Sequence, residues 1–196
     1  MIAVVDYDTG NLRSVDNAFR RIGVEAVFTD DHDIIRSADR VLLPGVGEAS
    51  SAMAKLRERG LDRLIPALTQ PVLGICIGMQ LMCRTSEEGD AVCMGIFDTD
   101  AVRFEADRAA GVKVPHMGWN TVSELSSPLF DGIAAETYFY FVHSFAPHIC
   151  RHTVAETCNG VRFSAALRNG NFYGTQFHPE KSGAAGERLL ENFMRL

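Results

Sequence analysis

The chain has 196 residues, 46% apolar and 22% charged, enough to enclose one substantial core, and a single domain over residues 1–196 is expected. Its 19 basic residues against 25 acidic ones leave a net charge of -6, the wrong sign for gripping a phosphate backbone, which argues against a nucleic-acid partner. The opening MIAVVDYDTG lacks a basic leader and no apolar run approaches the roughly 18 residues that cross a bilayer, so no membrane association and a cytoplasmic location are expected. IAVV, Ile2 to Val5, is apolar on both faces and reads as a buried strand, ended by Gly10 and Asn11. Leu12, Val15, Phe19 and Ile22 then recur at three- and four-residue spacing and predict a helix that Gly23 stops. VEAVF and RVLLPG predict the next strands, SAMAKLRERG the helix after the second, and PVLGIC a further strand. Buried strands joined by helices imply right-handed parallel crossovers, hence an α/β fold: an open, mostly parallel central sheet with helices on both faces. Beyond about residue 100 the pattern turns to short strands, VKVPHMGWNTV, TYFYFVHSF, HTVAETC, VRFSAAL and FYGTQFHPE, with Asn169-Gly170 as a hairpin turn. Antiparallel strands added to the sheet are therefore expected in the C-terminal half. GERLLENFMRL closes the chain as an amphipathic helix with Leu189, Leu190, Phe193 and Met194 on its inner side.

In open parallel sheets ligands gather beyond the carboxyl ends of the strands. Cys76 falls at such an end, in the frame Gly74-x-Cys76-x-Gly78, the spacing of a strand-turn-helix elbow that displays a nucleophile. Its glycines permit close backbone packing, and the helix that follows favours a thiolate. The same frame also suits a small buried cysteine of the core. Far downstream, GTQFHPEKSG sets His178 and Glu180 either side of Pro179. Proline biases His178 towards extended geometry, where alternate residues face one way, so imidazole and carboxylate can serve one site as a base and its orienting group. The bland alternative is a solvated polar face. LLPGVG, Leu42 to Gly47, reads either as an ordinary turn or as backbone N–H donors that form an oxyanion hole with the amide of Ile77.

Taken in order, DYDTGNLRSV, LPGVG, GICIGMQLM, TSEEG, KVPHMGWN, YFYFVHSF and GTQFHPEKS, running from Val4 to Ser182, resemble the triad-type (class I) glutamine amidotransferases and, within them, the glutaminase subunits of imidazole glycerol phosphate synthases. The resemblance implies hydrolysis of glutamine, with the ammonia passed to a TIM-barrel cyclase subunit in a heterodimer that serves histidine biosynthesis. It implies Cys76 as nucleophile, His178 as general base and acid, and Glu180 as the group that orients His178. The family's oxyanion loop falls on Gly45, Val46 and Gly47, and its glutamine-binding positions on Gln80, Ser144 and Phe145, the last two mainly through backbone. His116, Met117, Trp119 and Asn120, with Asn11 and Lys181, fall on the face that meets the cyclase. No cofactor is implied. Family behaviour also implies a PGVG peptide that rests with an N–H turned away, leaving the isolated subunit nearly idle. Three departures stand out: Asp8 where glycine is usual, EASS after Gly47 in place of a stretch containing Phe-Gly, and Phe145-Ala146 where aromatic residues usually continue.

The cysteines Cys76, Cys83, Cys93, Cys150 and Cys158 form no C-x-x-C pair and read as reduced thiols, with Cys83, two helical turns beyond Cys76, expected in the core. His148, Cys150 and His152 alternate in HICRH and have the chemistry of zinc ligands. They lack a fourth ligand and match no standard spacing, so no metal is expected. Rival functions are a non-catalytic scaffold of the same fold, a hydrolase acting on another amide, or the glutaminase subunit of another class I amidotransferase.

Overall fold

Every residue of Ile2–Val5 (β1) is buried, the signature of a strand covered on both faces. In the computed structural model, which describes residues 1–8, 11–107, 109 and 112–196, it lies inside a seven-stranded sheet. The expected turn residue Gly10 lies outside the described residues. Leu12–Arg21 (α1) follows, burying Val15, Ala18 and Phe19 and giving way to Gly23 at φ +74°. Then come Ala26–Thr29 (β2), His32–Ser37 (α2), Arg40–Leu43 (β3), Ala49–Glu58 (α3), Leu61–Leu64 (α4), Val72–Ile75 (β4) and Ile77–Leu81 (α5). The strands β2, β1, β3 and β4 are mutually parallel neighbours, as the buried runs predict. Helices α2 and α4 span six and four residues, too short for an apolar period to declare them.

The second half holds Thr85–Ser86 (β5), Ala91–Val92 (β6), Asp100–Arg103 (β7), His116–Val122 (β8), Thr137–His143 (β9), Phe145–Pro147 (β10), Thr153–Asn159 (β11), Val161–Asn169 (β12), Phe172–Thr175 (β13) and Gly183–Phe193 (α6). The strand β13 pairs parallel to β4, while β12 and β11 extend that edge antiparallel. Asn169 pairs with Phe172 around Gly170, at φ +58°, so the expected hairpin is present. The other C-terminal strands do not join the main sheet: β8 and β9 form their own antiparallel ribbon, and β10 pairs with β7 in a sheet completed by β5 and β6. Alternating burial along β8 and β9 leaves one face of the ribbon outward, unlike the fully buried β13. Helix α6 buries Leu189, Leu190 and Phe193, with Met194 packed at the core's margin.

Candidate active site

The strand β4 ends at Ile75, and Cys76 turns the chain into α5 with φ +53° and ψ -110°. That region is costly for a residue with a side chain, about 1–3 kcal/mol, and persists only where the surroundings enforce it. Here they do. The Cys76 N–H donates to the Thr175 carbonyl on β13 at 2.7 Å, and the Cys76 carbonyl accepts from the amides of Met79 and Gln80. Both flanking glycines are required by contact: a methyl on Gly74 would lie 2.7 Å from the Gly78 carbonyl oxygen, and one on Gly78 would lie 2.0 Å from that of Leu43. The Gly-x-Cys-x-Gly frame thus forms a strand-turn-helix elbow. Gln176 Nε2 donates to the sulfur at 3.6 Å, and the thiol faces the Val142 carbonyl at 3.9 Å.

His178 leaves β13 in extended geometry, and its Nδ1 lies 2.7 Å from Glu180 Oε1. The expectation that Glu180 continues the extended run is corrected, because Pro179–Lys181 forms a 3-10 turn. Ser182 closes that turn: its hydroxyl donates to the His178 carbonyl at 2.7 Å and accepts the Tyr140 N–H at 3.0 Å. Asn11 Nδ2 donates to the same Glu180 oxygen at 2.6 Å, which places Asn11 directly behind the His-Glu pair. Among the described residues His178 Nε2 has no hydrogen-bond partner, and it faces Cys76 across the cleft. Burial opposes a charge on this ring, but the Cys76 sulfur and the Glu180 carboxylate outweigh it and push the pKa up to about 10. Burial likewise disfavours the Glu180 carboxylate, yet the His178 contact holds its pKa below the ordinary range.

Between these groups opens a cleft of about 310 Å³. The loop Gly45, Val46, Gly47 forms one wall and lies against the elbow: a methyl on Gly45 would sit 2.4 Å from the Gly78 nitrogen. Tyr7 donates to the Pro44 carbonyl at 2.7 Å and anchors that loop from the core. Ile77 opens α5, where a helix leaves its first amides without internal acceptors. Gln80 Nε2 donates to the Phe145 carbonyl at 2.8 Å and to Gln176 Oε1 at 3.0 Å, leaving its own buried Oε1 unpaired. Ser144 and Phe145 line the opposite wall and Lys181 the rim, its Nζ 5.9 Å from the Tyr140 ring centre. Sequence reasoning missed Glu88, whose carboxylate lines the cleft: it accepts the Ala49 N–H at 3.1 Å, and burial raises its pKa. TSEEG was its only signal.

Two of the three departures have local explanations. Asp8 adopts φ +68°, which is why glycine suits that position, and Lys55 Nζ clamps it through its carbonyl at 2.8 Å and its carboxylate at 3.0 Å. EASS packs its Ser50 and Glu48 against Gly89, beside Glu88. Of the six residues expected on the partner face, the four on β8 divide. Met117 and Trp119 are 63% and 56% exposed and share the outer face of the ribbon with Tyr138, whereas His116 is 7% exposed and stacks inward on Phe141. Asn120, half-buried, points inward to the Cys158 carbonyl. Cys83 is fully buried and donates its thiol to the Met79 carbonyl, as a core residue should. Among the described residues no three His, Cys, Asp or Glu are grouped to hold a metal, and His152 instead packs 6.0 Å from the Phe97 ring. No helix among them is long and apolar enough to cross a membrane.

Comparison with known proteins gives the same architecture a family. A family model described as glutamine amidotransferase class-I matches residues 3–196. The chain is 57% identical over 195 residues to imidazole glycerol phosphate synthase subunit HisH of Bacteroides fragilis strain YCH46, covering 100% of this chain and 99% of that one. It is 47% identical over 197 residues to the HisH protein of the same name from Escherichia coli K12, again covering 100% and 99%. Among solved structures, a glutamine amidotransferase from Thermotoga maritima superposes with a TM-score of 0.62 at 18% identity, over 99% of this chain and 82% of that one, and so shares the fold. With a family match across nearly its whole length, the chain belongs to the class-I glutamine amidotransferases.

Proposed function

We propose that the chain is the glutaminase subunit of an imidazole glycerol phosphate synthase: one domain, residues 1–196, that hydrolyses glutamine and hands the ammonia to a TIM-barrel cyclase subunit in a cytoplasmic heterodimer of histidine biosynthesis. The single observation that carries it is the unpaired, buried His178 Nε2 facing a thiol held on a strained elbow, with Nδ1 tied to Glu180. A nucleophile, a base and an orienting group in that relation perform acyl transfer. Such intact geometry gives a non-catalytic scaffold nothing to explain it.

Glutamine enters with its side-chain amide at Cys76. With the thiol proton already resting on His178 Nε2, the sulfur attacks the amide carbon, placing negative charge on the amide oxygen. Backbone N–H groups of Val46, Gly47 and Ile77 stabilise that oxyanion; losing one such donor costs about 10²–10³ in rate. Collapse breaks the C–N bond as His178 returns its proton to the departing nitrogen, releasing ammonia and leaving a γ-glutamyl thioester. Water, deprotonated by His178, then attacks the thioester, and glutamate leaves as the Cys76 thiolate returns. At the far end, the Glu88 carboxylate suits the substrate's α-ammonium, the free Gln80 Oε1 accepts one of its N–H groups, and the Ser144-Phe145 backbone supplies the wall. The exposed Met117, Trp119 and Tyr138 give the cyclase an apolar contact, flanked by Asn11 and Lys181.

Cys76→Ala should abolish glutamate release in the presence of the cyclase and its nucleotide, while synthesis from added ammonia continues. Glutamine hydrolysis at the parental rate by that variant would overturn the assignment. Equal parental turnover with and without the cyclase would overturn the expectation of an idle isolated subunit.

A further inference from the structure

Two buried histidines outside the triad, His116 on β8 and His143 at the end of β9, meet across the ribbon with Nδ1 of the first 3.0 Å from Nε2 of the second. The direction of that bond is set independently from both ends. At the inner end, His143 Nδ1 lies 2.8 Å from the Phe145 carbonyl oxygen, which only accepts, so Nδ1 carries the proton and Nε2 of the neutral ring is an acceptor. His116 must then donate from Nδ1, which leaves its own Nε2 to accept. At the outer end, the Asn120 amide nitrogen donates to the Cys158 carbonyl at 2.8 Å while its oxygen accepts the Thr121 N–H at 2.8 Å. Its second N–H is left for His116 Nε2, 3.2 Å away. Both ends demand the same pair of tautomers.

The Phe145 carbonyl is where this chain meets the cleft. Its other lone pair takes Gln80 Nε2 at 2.8 Å, Gln80 donates onward to Gln176, and Gln176 donates to the Cys76 sulfur. We propose that His116 and His143 are positioning residues, a one-way hydrogen-bond relay that fixes the Phe145 carbonyl and through it the Gln80 amide that receives glutamine. It rests on the role given above to Gln80. Packing locks both rings: His116 stacks on Phe141 at 4.9 Å, and His143 lies 5.3 Å from both Phe104 and Phe163. Burial pushes the pKa of His116 down to about 4 and, helped by His116, that of His143 to about 3, so the neutral rings the relay needs persist at neutral pH. A second proton on either ring sets two donors head to head. The relay starts on the strand whose outer face carries Met117 and Trp119.

His143→Phe fills the same aromatic cage and removes both relay nitrogens; His143→Asn restores a donor near the Nδ1 position. In the complex with the cyclase, His143→Phe should raise KM for glutamine about tenfold with kcat within about threefold, and His143→Asn should recover most of the loss. Long-range ¹H–¹⁵N spectra of the parental protein, labelled at histidine, should show both rings neutral and protonated on Nδ1 at pH 7. An Nε2-protonated or charged ring, an unchanged KM in His143→Phe, or equal losses in both variants would overturn the relay. A parental complex without glutaminase activity would instead overturn the assigned function, while the spectra still judge the relay.

Discussion

Helix α6 meets the turn that carries His178 and Glu180 through Gly186. A methyl there would lie 1.9 Å from the Pro179 carbonyl oxygen and 2.7 Å from its carbonyl carbon, both backbone atoms with no rotamer to escape by. Side-chain carbons approach to about 3.0 Å at the closest, so Gly186→Ala must part helix and turn by about 1.1 Å. The helix is pinned by the buried Leu189, Leu190 and Phe193, so the three-residue turn yields, and the His-Glu pair moves with it. Overpacking of this kind costs about 1–3 kcal/mol, and alanine's helix propensity returns at most about 1 kcal/mol. At about 2–4 °C per kcal/mol for a chain of this length, the thermal midpoint should fall by several degrees. Misplacing a catalytic group by ~1 Å costs about 10² in rate, so glutamate release should fall about a hundredfold. Gly170→Ala is the control: at φ +58° with no atom within 4 Å of the added methyl, it should lose about 1–2 kcal/mol of stability and no rate. Melting curves and glutamate release, measured on both variants with the cyclase present, decide it. A Gly186→Ala protein with parental rate and midpoint would refute the claim that this contact holds the dyad.

Asn11→Ala removes the second donor on Glu180 Oε1 and should lower kcat about tenfold with KM little changed; an unaffected kcat would confine Asn11 to the partner surface. The raised pKa of His178 gives a signed pH dependence: its contribution to stability is complete below about pH 6.5 and is lost as pH rises through about 10. Because the Cys76 sulfur is the largest favourable influence on that ring, Cys76→Ala should flatten the decline in midpoint between those values, and an identical slope in the two proteins would show that the sulfur and the ring are not coupled.

The central sheet was legible because its inner strands β1 and β4 are buried on both faces, so IAVV and PVLGIC betray themselves without knowledge of their neighbours. The elbow was legible because two glycines mark close backbone approach. Other features depend on partners distant in the chain. The alternation along β8 suits any half-covered strand, and only tertiary pairing decides that it joins β9 in a ribbon of its own. That alternation does place His116 and Asn120 on the face opposite Met117 and Trp119, a separation that grouping them by adjacency obscured. The 3-10 turn after His178 is fixed by Ser182 bridging to Tyr140, which no local spacing announces. Glu88 differs from its neighbour only in where it points: Glu87 accepts the Arg103 N–H outside the cleft, and Glu88 caps α3 inside it.

The joining of Cys76 to His178 across a hundred positions follows from one parallel pairing. Thr175 on β13 lies in register with Ile75 on β4, so both strands end at the same rim, and the next residues, Cys76 and Gln176, are already in contact through Gln176 Nε2 and the sulfur. An antiparallel pairing would send the two exits to opposite edges of the sheet. Parallel pairing requires a long crossover, and this one spends it on the β5–β7 sheet and the β8–β9 ribbon, which return over the rim as the cleft's remaining walls, Glu88, Ser144 and Phe145. The loop length that parallel topology imposes is thus the material from which the rest of the cleft is made, and that is why a one-residue slip between β4 and β13 would separate Cys76 from His178 and from Glu88, Ser144 and Phe145 together.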